Sequence, residues 1–201
     1  MLDAAVTAFA RRGYRAASMD EIAEAAGVSK PLVYLYLNSK EDLLTACIRR
    51  EAGALTAAIR AAVEPRAPAD RQLWHGLLGF FEHTAGHPDG WTLLHTQARS
   101  VGEPFATEVA AMRAEIVAFV TTLIAAAARA AEHVDTTLAA REVPALAVAL
   151  VGAAESLAGW SITSSPPSAR TPRDNAATLM NFAWSGLSSL LEGGGRSEAG
   201  R

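Results

Sequence analysis

Four side chains in one short stretch can donate to an anionic oxygen: Lys30, Tyr34, Tyr36 and Lys40. Lys30 and Lys40 are the only lysines among 201 residues. Ammonium groups and phenol hydroxyls of this kind reach phosphate oxygens. No nucleophile elbow surrounds any serine, and no glycine loop is arranged to cradle a phosphate. The chemistry is therefore one of contact rather than of bond breaking.

The elements that must position these groups can be read locally. Ser18 followed by Glu21 has the spacing of a capping box, which predicts a helix start. Ile22, Ala23 and Ala26 recur at helical spacing and give that helix a small apolar face. Gly27 can adopt the left-handed conformation that ends a helix. Val28 suits a plug between two helices, and Ser29 caps the next one. Pro31 falls in the first turn, where its missing amide costs nothing. Asn38 and Ser39 interrupt this second helix, and Ser39 with Asp42 caps a third. Helix, glycine turn, helix is the geometry by which a second helix enters a DNA major groove by its N-terminal end, where Lys30 stands. A plain helical hairpin in a bundle is the other reading of the same pattern.

The combined spacing of Phe9, Gly13, Tyr14, Ser18, Ile22, Ala23, Ala26, Gly27, Val28, Ser29, Tyr34, Ser39, Lys40 and Leu43 resembles the TetR family of bacterial transcriptional regulators. The resemblance covers about the first fifty residues and implies roles within them. Ser18 and Lys40 match phosphate contacts on either side of the motif, and Tyr34 and Tyr36 match phosphate-contacting positions. Lys30, Pro31, Leu32 and Leu35 match positions that face base edges. With Ser29 these make the candidate DNA-binding set. The chain departs from the common family pattern at Pro31, Leu32 and Leu37, where glycine, threonine and phenylalanine are frequent. Pro31, Leu32 and Leu35 offer apolar contact suited to thymine methyl groups, so specificity would rest on Lys30 and on DNA shape. Alternatively, one of Leu32 and Leu35 packs inward. Family members also carry several residues ahead of the position of Met1. Either these are absent here or the start lies further upstream.

Charge distribution agrees with site-specific contact rather than with coating of nucleic acid. The net charge is −3. Residues 1–50 hold seven Lys/Arg and six Asp/Glu, and the rest hold eleven and fifteen. A weakly positive reading head on an acidic body makes a few phosphate contacts per subunit. The single Cys47 excludes an internal disulfide and suits a reducing cytoplasm. It reads as a small buried apolar residue, with a redox switch as the alternative. The N-terminus is an acidic helix start rather than a secretion signal, and no uninterrupted apolar run suggests a membrane span.

The rest of the chain reads as helices, giving an all-α fold of three parts. These are a helix-turn-helix domain over 1–45, a helical effector-binding and dimerisation domain over 46–192, and a flexible tail over 193–201. A long helix is expected from about Glu41 to Val63, stopped by Pro65 and Pro68. Another runs from about Asp70 to Thr84, and a shorter one carries Trp91, Leu94 and His95. Phe105, Val109, Met112, Ile116, Phe119 and Leu123 step along one stripe of a further long helix. The segments from Val143 to Ile162 and from about Arg173 to Leu191 are apolar all round. Val148, Val151, Leu157, Leu179, Phe182, Leu187 and Leu190 therefore form a candidate dimer interface, with a central place in a monomer as the alternative. The resemblance implies the same pairing of the last two helices.

Trp74, Phe81, Trp91, His95, Phe105, Met112, Phe119, Glu155 and Trp160 form a candidate effector pocket. Glu155 is a carboxylate in an almost wholly apolar helix, able to pair with a cationic ligand or with His95. The alternative makes the aromatics ordinary core and sends Glu155 to solvent or to the dimer seam. His83 and His87 have a spacing that can grip a metal on a helix, but Gly86 and Pro88 interrupt it, so neither metal nor cofactor is expected. The expected function is that of a homodimeric regulator, a repressor released from a palindromic operator by a small apolar or amphipathic effector. A dimer indifferent to ligands, and a helical carrier or enzyme, are the rival classes.

Overall fold

The computed structural model describes residues 1–36, 38–130, 136–163 and 170–191, with side chains except at 30, 35, 36, 130, 136–140 and 184–191. The expected tail over 193–201 and Leu37 lie outside the described residues. Among the described residues there are helices and no strands. In chain order they are α1 (Leu2–Ala16), α2 (Met19–Ala25), α3 (Lys30–Tyr36), α4 (Lys40–Ala62), α5 (Ala69–Gly86) and α6 (Pro88–Thr92). A π-helical turn, Leu93–Gln97, joins α6 to α7 (Ala98–Val101); then come α8 (Phe105–Ala130), α9 (Thr136–Thr163) and α10 (Pro172–Leu191). The chain divides into two compact units: Met1–Ala57 with Thr84–Arg113, and Ala58–His83 with Ala114–Arg201.

In the first unit, apolar residues at helical spacing close a core. α1 contributes Val6, Phe9 and Ala10, α2 Met19, Ile22 and Ala23, α3 Val33, and α4 Leu43, Leu44, Cys47 and Ile48, all buried. Each large aliphatic or aromatic side chain removed from water this way contributes roughly 1.5–3 kcal/mol. α1 is kinked at Gly13, whose φ of 79° only glycine adopts without strain. A Cβ there would also press on Gln97 Oε1 at 3.3 Å. Asp89, at the start of α6, accepts from Thr7 Oγ1 (3.0 Å) and pairs with Arg11 (3.3 Å), so α6 is fastened to α1. The single short helix expected around Trp91 is instead three joined segments, with one turn widened to the π form.

In the second unit, the end of α4 meets α5 at close range. A Cβ on Gly79 would stand 2.6 Å from Ala62 Cβ and 3.3 Å from the Ala58 carbonyl oxygen. Arg60 pairs with Glu115 at 2.9 Å and lies over the Phe119 ring at 5.0 Å. α9 and α10 pack on each other. Across that pair, buried Asn175 donates to Ser161 Oγ (2.8 Å) and accepts from Arg170 Nε (3.1 Å).

The two apolar helices need a correction to the hydropathy reading. Phe105–Arg129 and Arg141–Thr163 have windows of mean hydropathy 1.8 and 1.6, and both are long and apolar enough to cross a bilayer. Length and composition are weak evidence of a span, because core helices of globular proteins pass the same test. On α9 the burial is one-sided. Val143, Ala147, Leu150, Val151, Ala154 and Ala158 are buried, whereas Val148 and Trp160 are 47% and 48% exposed. The helix is apolar on both sides, and the described residues cover only one of them.

Candidate nucleic-acid interface

α2 is capped by Ser18, which is extended in backbone and whose side-chain oxygen accepts from the Asp20 amide at 3.2 Å. The expected capping box is half made. Glu21 is drawn into an ion pair with Arg12 on α1 instead of turning back to the Ser18 amide. A cation on a packed neighbour offers the carboxylate more than a lone amide does. α2 ends as the sequence predicts. Gly27 has φ 65°, its amide donates to the Glu24 carbonyl, and the Val28 amide donates to the Ala23 carbonyl, each at 3.0 Å. This paired closure is a Schellman motif and satisfies the last carbonyls of α2.

α3 follows after Ser29, whose carbonyl accepts from the Leu32 amide at 3.0 Å and the Val33 amide at 3.3 Å. Among the described side chains of this helix, Val33 points inward and is fully buried. Pro31 is exposed, Leu32 is 39% exposed and Tyr34 41% exposed. Leu32 therefore does not pack inward, because Val33 occupies the inward direction beside it. Lys30, Leu35 and Tyr36 have side chains outside the described residues. α4 starts at Ser39, whose hydroxyl oxygen accepts from the Asp42 amide at 3.0 Å, as expected.

Lys40 has partners within the module. Its ammonium donates to the Arg15 carbonyl at 3.2 Å and lies 4.8 Å from the centre of the Tyr14 ring. Tyr14 itself packs between Phe9 and Phe105, with ring centres 6.0 and 5.8 Å away. Burial, and secondarily the Glu41 carboxylate, push the Tyr14 phenol above its ordinary range, so it stays neutral. Lys40 thus joins the last turn of α1 to the first turn of α4. No local pattern of residues signals this bond, since it spans elements separated by the whole motif.

The candidate effector residues fall in both units. Trp91, His95, Phe105 and Met112 belong to the first; Trp91 and His95 stack at 4.9 Å, and Phe105 lies against Tyr14. Trp74, Phe81, Phe119, Glu155 and Trp160 belong to the second. There Trp74 lies under the Arg173 guanidinium at 5.6 Å, Phe81 is buried against Phe80, and Glu155 is half-buried. Of the candidate dimer residues, Val148 and Phe182 are exposed, Leu157 is half-buried, and Val151 and Leu179 are buried within their own unit. The side chains of Leu187 and Leu190 lie outside the described residues.

Comparison with known proteins matches this geometry to a group. The profile of bacterial regulatory proteins of the tetR family matches residues 1–47, and that of the tetracyclin repressor-like C-terminal domain matches residues 69–186. The chain is 30% identical over 189 residues to the HTH-type transcriptional activator FasR of Mycolicibacterium smegmatis, covering 94% of this chain and 81% of that protein. It is 32% identical over 73 residues to the fatty acid metabolism regulator protein of Bacillus subtilis, covering 36% and 38% of the two chains. The crystal structure of a TetR-like transcriptional regulator from Rhodococcus sp. RHA1 superposes with a TM-score of 0.76 at 32% identity, covering 93% of each chain.

Proposed function

Because the chain belongs to the TetR family of bacterial transcriptional regulators, DNA-binding factors rather than enzymes, we propose that it works as an effector-responsive homodimer on palindromic DNA. The observation that carries the reading head is α3. Val33 is fully buried, while Pro31, Leu32 and Tyr34 stand exposed on a helix closed off by the Gly27 turn. An anchored, largely uncharged helix of this kind meets thymine methyl groups with Pro31 and Leu32 and a phosphate with the Tyr34 hydroxyl. Base-edge hydrogen bonding falls to Lys30. Two heads in one dimer address two half-sites about one helical turn apart, roughly 34–36 Å.

The effector we propose is an acyl chain. Two observations support it: the apolar composition of α8 and α9, and the fatty acid regulator of Bacillus subtilis among the relatives. A ligand of this class binds one spacing of the heads better than another and shifts the population between them. We take release from DNA with loss of repression as the outcome. The FasR relative, named as an activator and matched over 94% of this chain, favours a second reading in which release withdraws activation. In vitro transcription from a promoter carrying the selected site separates the two, since added protein lowers transcript in one case and raises it in the other.

The test begins with the purified protein and a randomised duplex pool. Enrichment of a palindrome with half-sites one turn apart is expected, and enrichment of a single unpaired half-site would overturn the dimeric reading. Palmitate and a palmitoyl thioester are then added to the bound complex. Dissociation, with a rise in melting temperature of the free protein by mass action, is expected. No change in either with both probes would overturn the acyl class.

A further inference from the structure

We propose that Lys40 is an acylation switch: transfer of an acetyl group from a thioester to its ε-amine releases the reading head from DNA and leaves the head folded. The inference rests on the reading of this module as DNA-binding. It begins with where the chain keeps its amines. Of 18 Lys/Arg, two are lysines, Lys30 and Lys40, and both stand in the helix-turn-helix segment. An ε-amine accepts an acyl group, whereas an always-charged guanidinium does not. Acylation of side-chain amines in this chain therefore falls on the reading head.

The surroundings of Lys40 fit such a switch. Its side chain is half-buried in the first turn of α4. One N–H donates to the Arg15 carbonyl at 3.2 Å, and the ammonium lies 4.8 Å from the centre of the Tyr14 ring. Neither partner is a carboxylate, so the group keeps its full charge and two further donors for a phosphate oxygen. Four other cations of the head spend theirs on carboxylates: Arg11 on Asp89, Arg12 on Glu21, Arg49 on Glu108, and Arg50 on Asp3 and Glu51. Acetylation forms the bond from Nζ to the acyl carbon and breaks the carbon–sulfur bond. Of the two protons that Nζ loses, one goes to solvent and one to the departing thiol. The single N–H left still reaches the Arg15 carbonyl, so the tie between α1 and α4 survives. No donor and no charge remain for a phosphate. Residues 1–50 hold seven Lys/Arg and six Asp/Glu, so one acetyl group turns a weakly positive head neutral.

The test uses the full-length protein and the duplex that wild type enriches. Wild type is incubated with acetyl-CoA, with and without the duplex, and digested for mass spectrometry. Lys40 is expected to gain an acetyl group, and the duplex to protect it. No acetyl group at Lys40 under conditions that modify it in the denatured chain would overturn the proposal. Protein carrying Nε-acetyllysine at position 40 is then compared with wild type, Lys40→Arg and Lys40→Met from about 50 to 200 mM salt. The acetylated protein is expected to melt close to wild type and above Lys40→Met. Its affinity should fall by about tenfold or more per head, and its log–log salt slope should flatten by about 0.9 per head. Lys40→Arg should bind as wild type does and take no acetyl group at that position. Wild-type affinity and slope in the acetylated protein, or a melting temperature as low as that of Lys40→Met, would also overturn the switch. If wild type enriches and binds no duplex, the DNA-binding reading falls first and this inference with it.

Discussion

At the residue scale, Cys47 shows how burial decides chemistry. The thiol is fully buried on α4, donates weakly to the Leu2 carbonyl, and is pushed from near 9 up to about 12, chiefly by burial. The neighbouring Arg50 opposes the shift without cancelling it. A protonated, enclosed thiol is neither a nucleophile nor a redox sensor. The native protein is therefore expected to resist alkylation by iodoacetamide at pH 8 and to react at once in denaturant. Rapid native labelling would show that the site opens. The same shift has a sign in stability. The folded state holds the proton more tightly than the unfolded chain, so the contribution is complete below about pH 9 and is lost as pH rises toward 12. Denaturant melts across that window should show a steeper alkaline decline in wild type than in Cys47→Ala.

At the element scale, two helix junctions carry predictions of different kinds. Gly79 lets α5 approach the end of α4, where a Cβ would strike Ala62 and crowd the Ala58 carbonyl. Backbone on one side leaves little room to relax, so Gly79→Ala should destabilise by about 1–3 kcal/mol, and pairing it with Ala62→Gly should recover part of that. Equal stability of wild type and Gly79→Ala by denaturant melts would show that the helices slide apart freely. α10 starts at a reciprocal cap: the Asp174 amide donates to Thr171 Oγ1 (3.1 Å) and the Thr171 amide donates to the Asp174 carboxylate (3.0 Å). The Thr171 hydroxyl and amide hold the Asp174 carboxyl below its usual range. A lowered folded value means stability that is present at neutral pH and fades as pH falls through that value. Asp174→Asn should melt below wild type at pH 7, and the gap should close in acid; a gap independent of pH would remove the carboxylate's role. Such caps and turns were legible in the sequence because they are local: Gly27 and Ser39 do what their types and neighbours require. The α3 anchor was less so, since seven residues give too little period to choose Val33 over Leu32. The Glu21–Arg12 pair, the Asp89 clasp and the Lys40–Arg15 bond had no local signal, because each joins elements that only tertiary packing brings together.

At the scale of the whole molecule, the uncovered apolar side chains point to a second copy. Val148, Trp160, Ile162 and Phe182 are 47%, 48%, 37% and 68% exposed on α9 and α10, the two helices whose sequence is apolar all round. Leaving such a set in water is unfavourable, and the proposed second copy, related by a two-fold axis, would cover it with the same surface. Phe182 is the most exposed of the set, whereas Leu179 is buried within its own unit. Phe182→Asp therefore tests association without emptying the core. Because the interface would be isologous, each substitution is counted twice, and two charges would face an apolar seam. Wild type is expected to sediment as a dimer at micromolar concentration and Phe182→Asp as a monomer with unchanged helical circular dichroism. The monomer presents one head at a time, so its affinity for a two-half-site duplex should fall by roughly 10²–10⁴-fold while single half-site binding persists. If Phe182→Asp remains a dimer, the pairing surface lies elsewhere. If it is a monomer that binds the full duplex as tightly as wild type, the two heads do not act together, and pairing of α9 and α10 has no part in recognition.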